Sequence, residues 1–274
     1  MHVVVILSGI ADPKRPLGRP VSGDWHDWVG APATPFKLSP FDESALEVAL
    51  KLRDKDAAVK ITALITDGAS DIALMRTVAA YRLDQVAGLC PPAQQRGNPC
   101  WYREHVANAI RGSDATVDLW LMGREHGDLD DGVMAPYLAE SWGLAFIGLA
   151  LSVQCDDAGH WMTQRIVGDK LEAIRLPGPI LASISNDRGN RLRHPLMKNV
   201  MQAKQQKFLM HSFVANPVLA DPATAVIMTA QPIDASRRND MPCQQLGGTV
   251  EEQALALAHY LRQSRPARSL HVDP

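Results

Sequence analysis

Short, wholly apolar runs alternate with helical patterns through the first half of this chain, and that alternation limits the folds open to it. Val3 to Leu7 (VVVIL) has no polar residue on either face, as a strand buried on both sides requires. Val59 to Thr66 (VKITALIT), Asp84 to Leu89 (DQVAGL) and Val117 to Met122 (VDLWLM) are further strand-like runs. Helical patterns fall between and after them, at Ser39 to Asp54, Ser70 to Tyr81, Trp101 to Gly112 and Val133 to Trp142. In the first of these, Ser39 suits an N-cap and Pro40 the first turn, while Ala45, Leu46, Ala49, Leu50 and Leu52 form the apolar stripe. A βαβα rhythm predicts an α/β fold: a mostly parallel, doubly wound sheet with helices on both faces.

After Phe146 the pattern changes. LALSVQC and WMTQRIVG alternate like antiparallel strands, with Asp156 to Gly159 (DDAG) as the turn. Asp12 to Pro35 reads as a long loop rich in Pro, Gly and Trp. Ser185 to Phe208 is crowded with Lys, Arg and His. Phe213 to Gly248 has little periodicity and reads as an extended arm. Thr249 to Arg265 is a terminal helix, with Thr249 and Glu252 at the reciprocal positions of a capping box. The expected organisation is an α/β domain over residues 1–212 and a C-terminal arm with its helix over 213–274.

Composition narrows the function. Hydrophobic residues make up 46% of the 274 and charged residues 21%, enough apolar material for a real core. A formal net charge of -2 argues against a nucleic-acid binder. No apolar run reaches membrane-spanning length, and the first segment lacks the basic region of a signal peptide, so a cytoplasmic protein is expected. Cys90, Cys100, Cys155 and Cys243 form no close pair, which points to unpaired thiols rather than a zinc or iron–sulfur site. No serine–histidine–acid triad, phosphate-binding P-loop or H-E-x-x-H motif is present, so no acid–base or nucleophilic catalyst is assigned.

The loop Gly123 to Gly132 (GREHGDLDDG) follows the strand ending at Met122 and precedes a helix. In a parallel sheet, ligands bind over such loops at the carboxyl ends of the strands. Its glycines let backbone approach a ligand, and the helix start offers unpaired N–H groups to an anion. Glu125, Asp128, Asp130 and Asp131 are open to three readings: solvated capping acids, acceptors for ribose hydroxyls, or oxygen ligands of a divalent cation. His126 reads as a surface histidine.

Five collinear stretches resemble one family, the beta subunit of electron transfer flavoproteins. VVVILSGIADP resembles that family's first strand and "VKxVPDP" turn. SPFDESALEVALKLRDK is similar to "NPFDExALExALxLKE". VDLWLMGREHGDLDDGVMAPYLAESWG is similar to "DLVLLGKQAIDDDxxQxGPxLAExLGW". RIVGDKLEAIRLPGPILAS resembles the hairpin "RExDGGxExVxLxLPAVxT", and KNVMQAKQQK the segment "PNIMKAKKK". The resemblance implies an adenine-nucleotide-binding α/β sandwich whose C-terminal arm embraces a partner. It implies an alpha subunit holding the redox FAD, with AMP or a second FAD in this subunit, and electron flow from a flavin dehydrogenase to a quinone oxidoreductase. The implied nucleotide contacts are Ile6, Ser39, Phe41, Asp42, Thr66, Gly123, Asp128, Asp131, Gly132 and Met134.

The chain departs from the family pattern at several polar positions. The family lysine of the first turn is Ser8, and the asparagine before Pro40 is Ser39. The glutamine after the acids is Val133, and the following threonine or valine is Met134. The hairpin's acidic run is reduced to Gly168, Asp169 and Lys170. "PRYxSLP" has become RLRHPLM, Arg191 to Met197. In the family this last segment anchors a leucine in the dehydrogenase; the equivalent position is Met197, with Leu196 beside it. The opposing expectation is that Met197 packs beneath its own loop. Two other functions remain: a structural subunit of a larger redox complex with a decayed nucleotide site, and an ATP-pyrophosphatase-like enzyme suggested by SGIAD (Ser8 to Asp12). Against the enzyme, Pro13 has no N–H to offer a phosphate.

Overall fold

The computed structural model describes residues 1–14, 35–92, 95–111, 116–128, 130, 132–212 and 245–263. The chain divides into two compact units, Met1–Ala230 and Gln231–Pro274. The first contains β1 (His2–Leu7), β2 (Ile10–Ala11), β3 (Phe36–Lys37), α1 (Pro40–Lys55), β4 (Lys60–Ile65), α2 (Ile72–Ala79), β5 (Gln85–Cys90), α3 (Pro99–Arg111), β6 (Leu119–Gly123) and α4 (Met134–Trp142). It continues through β7 (Ala145–Cys155), β8 (Trp161–Val167), β9 (Lys170–Leu176), β10 (Ile180–Ile184), α5 (Met197–Ala203) and β11 (Leu209–Ser212). In the second unit α6 (Val250–Gln263) is described.

Among the described residues nine strands form one sheet, in the order β11-β5-β4-β1-β6-β10-β7-β8-β9. Pairing is parallel from β11 to β7 and antiparallel from β7 to β9. The predicted doubly wound, mostly parallel architecture is the one observed. Residues of β1 alternate between two cores. Val3, Val5 and Leu7 face a cluster that includes Leu46, Ala49 and Leu50 of α1 and Leu74, Met75 and Val78 of α2. Val4 and Ile6 face a second cluster with Trp101, Tyr102 and Val106 of α3 and Met134, Leu138 and Ala139 of α4. That double burial is why the strand reads as an unbroken apolar run.

Helix starts follow local chemistry. Ser39 Oγ accepts from the Asp42 amide at 3.0 Å and the Asp42 carboxylate accepts from the Ser39 amide at 3.2 Å, a complete capping box with Pro40 at the first turn. The predicted helix over 70–81 is shorter: Asp67–Ser70 is a 3-10 turn, and Asp71 then caps α2 by accepting from the Ala73 amide. In α6 the Glu252 carboxylate accepts from the Thr249 amide at 2.8 Å, and Thr249 Oγ1 accepts from the Glu252 amide at 3.3 Å, as the sequence spacing predicts.

Two placements lie beyond the local patterns. β10 inserts between β6 and β7, and β11 extends the edge beside β5. Where β7 leaves β10 to pair with β8 its register slips, and Leu149 takes a left-handed conformation (φ 60°) with its amide donating to Ser183 Oγ. Such a bulge bends a strand from one pairing partner to the next. Most of the expected arm (213–244), Cys243 and Asp131 lie outside the described residues. Among those residues no helix is long and apolar enough to cross a membrane.

Candidate functional site

Strand order reverses at β1: β4 and β5 follow it on one side, β6 on the other. The crevice beyond the carboxyl ends of β1 and β6 is therefore the topological switch point, where open α/β sheets bind ligands. Four segments meet there: Ser8 and Gly9 after β1, Thr66 to Gly68 after β4, Arg124 to Asp128 and Asp130 after β6, and the first turn of α1.

Asp42 lies at the centre and is fully buried. Its carboxylate accepts from the backbone amides of Ser8 (3.4 Å), Gly9 (3.2 Å) and Ser39 (3.2 Å). Burial pushes its carboxyl above the usual range, and nearby His126 and the amide donors partly offset that rise. Asp67 accepts from Ser8 Oγ at 2.9 Å and from the Tyr102 hydroxyl. Burial, with Asp67 beside it, holds that phenol well above its ordinary value. Thr66 Oγ1 pairs with His126 Nε2 at 3.0 Å, and the imidazole meets the Tyr102 ring edge-on at 5.4 Å. His126 is 2% exposed. The expectation of a surface histidine is thus corrected: the ring turns inward to fill space between β4 and α3.

The acidic loop resolves into separate tasks. One oxygen of Asp130 accepts from the amides of Gly132 (3.1 Å), Val133 (2.8 Å) and Met134 (3.1 Å), and the other from the His126 amide at 3.1 Å. Asp130 therefore satisfies the orphan donors at the start of α4. Asp128 accepts from the Ala11 amide at 2.9 Å, and burial raises its carboxyl pKa. Glu125 pairs with Arg124 at 3.3 Å. For Asp130 the capping reading describes the contacts; Asp128 instead accepts from an amide of β2. No group of three or more His, Cys, Asp or Glu among the described residues is placed to hold a metal ion.

Ile6, Ser39, Phe41, Asp42, Thr66, Gly123, Asp128, Gly132 and Met134 converge on this crevice from β1, α1, β4, β6 and the start of α4. Ile6, Ser39, Asp42, Thr66 and Met134 are buried by the chain itself. Gly123 is a packing glycine: a Cβ there would lie 2.8 Å from Phe41 Cβ, so its absence lets α1 close on β6. Sequence reasoning named Asp130 only as one of the loop acids and left out Asp67 and Tyr102. Tyr102 was findable, because it lies on the apolar face of its helix with Val106 and Ala109, and a buried tyrosine needs a partner for its hydroxyl.

The segment preceding α5 is pinned to α1. Glu47 accepts from Arg193 Nε (3.2 and 3.1 Å), from a terminal guanidinium nitrogen (2.8 Å) and from the Arg193 amide (3.1 Å). Tyr81 Oη donates to the Arg193 carbonyl at 2.9 Å, and Lys51 Nζ reaches Asn190 Oδ1 at 2.9 Å. Beyond these ties Leu196 and Met197 are 70% and 74% exposed. Met197 does not pack beneath its loop.

Residues 27–209 match the family described as electron transfer flavoprotein domain. The chain is 26% identical over 210 residues to the "Electron transfer flavoprotein subunit beta" of Bacillus subtilis, covering 75% of this chain and 77% of that protein. It is 25% identical over 170 residues to the protein of that name from Syntrophomonas wolfei, covering 62% of this chain and 65% of the relative, just under two thirds of its length. The Bradyrhizobium diazoefficiens protein of the same name is 23% identical over 199 residues, with 72% and 77% covered. With a parallel sheet reversing at β1 and a match across most of that sheet, the chain belongs to the electron transfer flavoprotein family, as a divergent member similar to its beta subunits.

Proposed function

We propose that this chain is the beta-type subunit of an electron transfer flavoprotein. It pairs with an FAD-carrying alpha subunit and helps pass electrons from a flavin dehydrogenase towards a quinone oxidoreductase, in the cytoplasm. Residues 1–212 form the family domain, and residues 213–274 the arm that embraces the partner. No residue of this chain acts as an acid, base or nucleophile; its work is to hold the flavin-bearing partner and present it to a donor.

The observation that carries this reading is the clamped segment before α5. Two adjacent apolar side chains stand exposed on a segment tied to α1 through Arg193 and Lys51 and flanked in sequence by Arg188, Arg191, His194 and Lys198. An apolar anchor with a cationic rim suits a protein partner, the anchor supplying affinity and the rim association rate. Exposed Ile166, Val167 and Leu171 of β8 and β9, and Leu255, Tyr260 and Leu261 of α6, add apolar surface for an alpha subunit to cover.

The test is to co-express the chain with a candidate alpha subunit, load FAD, and follow flavin reduction by the dehydrogenase. Met197→Ala should leave the melting temperature unchanged and slow electron transfer at least about tenfold, the loss of ~1.4 kcal/mol or more at a binding hot spot. A wild-type rate in that variant would remove the anchor. A second reading, a structural subunit within a larger redox complex, is favoured by the filled crevice at the switch point. Failure of the reconstituted pair to reduce any soluble acceptor would favour it.

A further inference from the structure

Membership of the family implies an adenine nucleotide, and the crevice at the switch point is where the resemblance would place it. An anion there would be held by unpaired amides at a strand end and a helix start. In this chain those donors are already engaged. The amides of Ser8 and Gly9 donate to Asp42, those of Gly132, Val133 and Met134 to Asp130, and that of Ala11 to Asp128. The Gly68 amide donates to the Ser8 carbonyl at 2.8 Å.

The space is engaged as well. His126 and Tyr102 stand edge to face between β4 and α3, and Tyr102 belongs to one buried cluster with Ile6, Met122 and Met134. The backbone of Gly127 runs so close to β1 that a Cβ there would lie 2.6 Å from Ser8 Oγ. Charge acts in the same direction. Among the described residues, none of Asp42, Asp67, Asp128 and Asp130 pairs with a lysine or arginine. A phosphate would meet the buried carboxylates of Asp42 and Asp67 at short range, in a setting of low dielectric; Arg124, 5.8 Å from the Phe41 ring centroid, is already paired with Glu125. Where the family pattern has lysine and alanine, this chain has Ser8 and His126. The cation at residue 8 is absent, the basic position of the loop is kept as Arg124, and a ring is gained at residue 126. The buried atom left without a partner in this cluster, His126 Nδ1, is a single imidazole nitrogen and no cradle for a phosphate.

We infer that this crevice takes no adenine nucleotide: Ser8 stands where the family pattern has a lysine, and the inward ring of His126, packed on Tyr102, fills the space beside it, while Asp42 and Asp130 already occupy the amides. Asp42, Asp128 and Asp130 match acids of the family pattern, so what sets this crevice apart is the serine at residue 8 and the ring at residue 126. This inference concerns the crevice alone and does not depend on the subunit reading.

Two measurements decide it. The full-length chain, purified alone and with a co-expressed alpha subunit, is denatured and its released adenylates are quantified by mass spectrometry. The expected content is below about 0.1 AMP or FAD per chain alone, and no AMP and no second FAD in the pair. Stoichiometric AMP, or two FAD per pair, overturns the inference. Thermal unfolding of the chain alone is then followed with and without 1 mM AMP. A ligand bound at a hundred times its Kd raises the midpoint of a chain this size by ~5–10 °C. The expected shift is under about 1 °C, and a rise of ~5 °C or more overturns the inference. Failure to pair with an alpha subunit would sink the proposed function and leave the measurement on the chain alone decisive here.

Discussion

Arg193→Ala tests whether the segment carrying Leu196 and Met197 is held by chemistry or merely rests against α1. The Glu47 side chain is 6% exposed and that of Arg193 41%. Removing the guanidinium strips Glu47 of both side-chain donors and leaves its carboxylate with the 3.1 Å bond from the residue 193 amide. Breaking a fully buried pair from one side costs about 3–5 kcal/mol. Solvent reaches the arginine side here, so the expected loss is lower, ~2–3 kcal/mol. The 2.7 Å contact with half-exposed Asp54 adds little to that figure. At ~2–4 °C per kcal/mol, the melting temperature should fall by about 4–12 °C.

The assay is urea and thermal unfolding of wild type, Arg193→Ala, Glu47→Gln and the double variant. Glu47→Gln in the Arg193→Ala background removes the stranded charge, so it should restore roughly half of the loss, a clear departure from additivity. In the reconstituted electron-transfer assay Arg193→Ala should slow transfer although Met197 is untouched, because the anchor is no longer pre-positioned. A loss under ~0.5 kcal/mol, or a cycle additive within ~0.3 kcal/mol, would refute the clamp.

Three further outcomes are expected. Asp156 accepts from the Ala158 and His160 amides and from Arg175, and these bonds hold its carboxyl at about 2; its stabilising effect is present above the ordinary value near ~4 and fades as pH falls through about 2. Carbon-13 NMR titration should show that value, and Arg175→Ala should raise it; an Asp156 titrating near ~4 in wild type would contradict the turn geometry. Asp128 has its pKa raised by burial, so the folded protein takes up that proton first, and stability from this group grows as pH falls through the folded value until the ordinary one is reached. Asp128→Asn should remove that part of the pH slope in urea unfolding, and an unchanged slope counts against it. His126→Ala should cost about 2–4 kcal/mol as a large buried side chain, with no rescue by AMP; a stability loss below ~1 kcal/mol would mean the ring fills no essential space.

Legibility followed the range of the interactions. Val3 to Leu7 announces its own double burial, and Ser39, Pro40 and Asp42 announce a helix start, because the causes lie within a few residues. The position of β10 between β6 and β7 has no local cause. It follows from which strands remain unpaired once the parallel core has formed, and periodicity carries no record of that. The same limit hid the crevice. Position by position, Asp42, Thr66 and Gly123 could be placed at the strand ends. Whether their polar atoms face a ligand or one another depends on partners as distant as Asp67 and Tyr102. His126 was misread for the same reason: an imidazole between Glu125 and Gly127 sits in a polar loop by sequence, while β4 and α3 bury it in space.

The acidic loop illustrates how one pattern serves two opposite ends. A glycine-rich turn before a helix start presents amides that will take any well-placed anion. A bound phosphate and a side-chain carboxylate meet that demand equally well, so the amides alone do not distinguish a binding site from a cap. What distinguishes them is the rest of the charge balance. A phosphate site needs cations or neutral donors around it, and among the described residues this crevice presents Asp42, Asp67, Asp128 and Asp130 against Arg124, itself paired with Glu125, and the neutral Ser8. A carboxylate tethered to the loop competes well for those amides, because it loses no translational freedom on binding. On the inference drawn above, the serine at residue 8 and the inward ring at residue 126 act together. The first weakens the hold on a ligand, and the second fills the room the ligand leaves. Restoring only one of them should not restore binding.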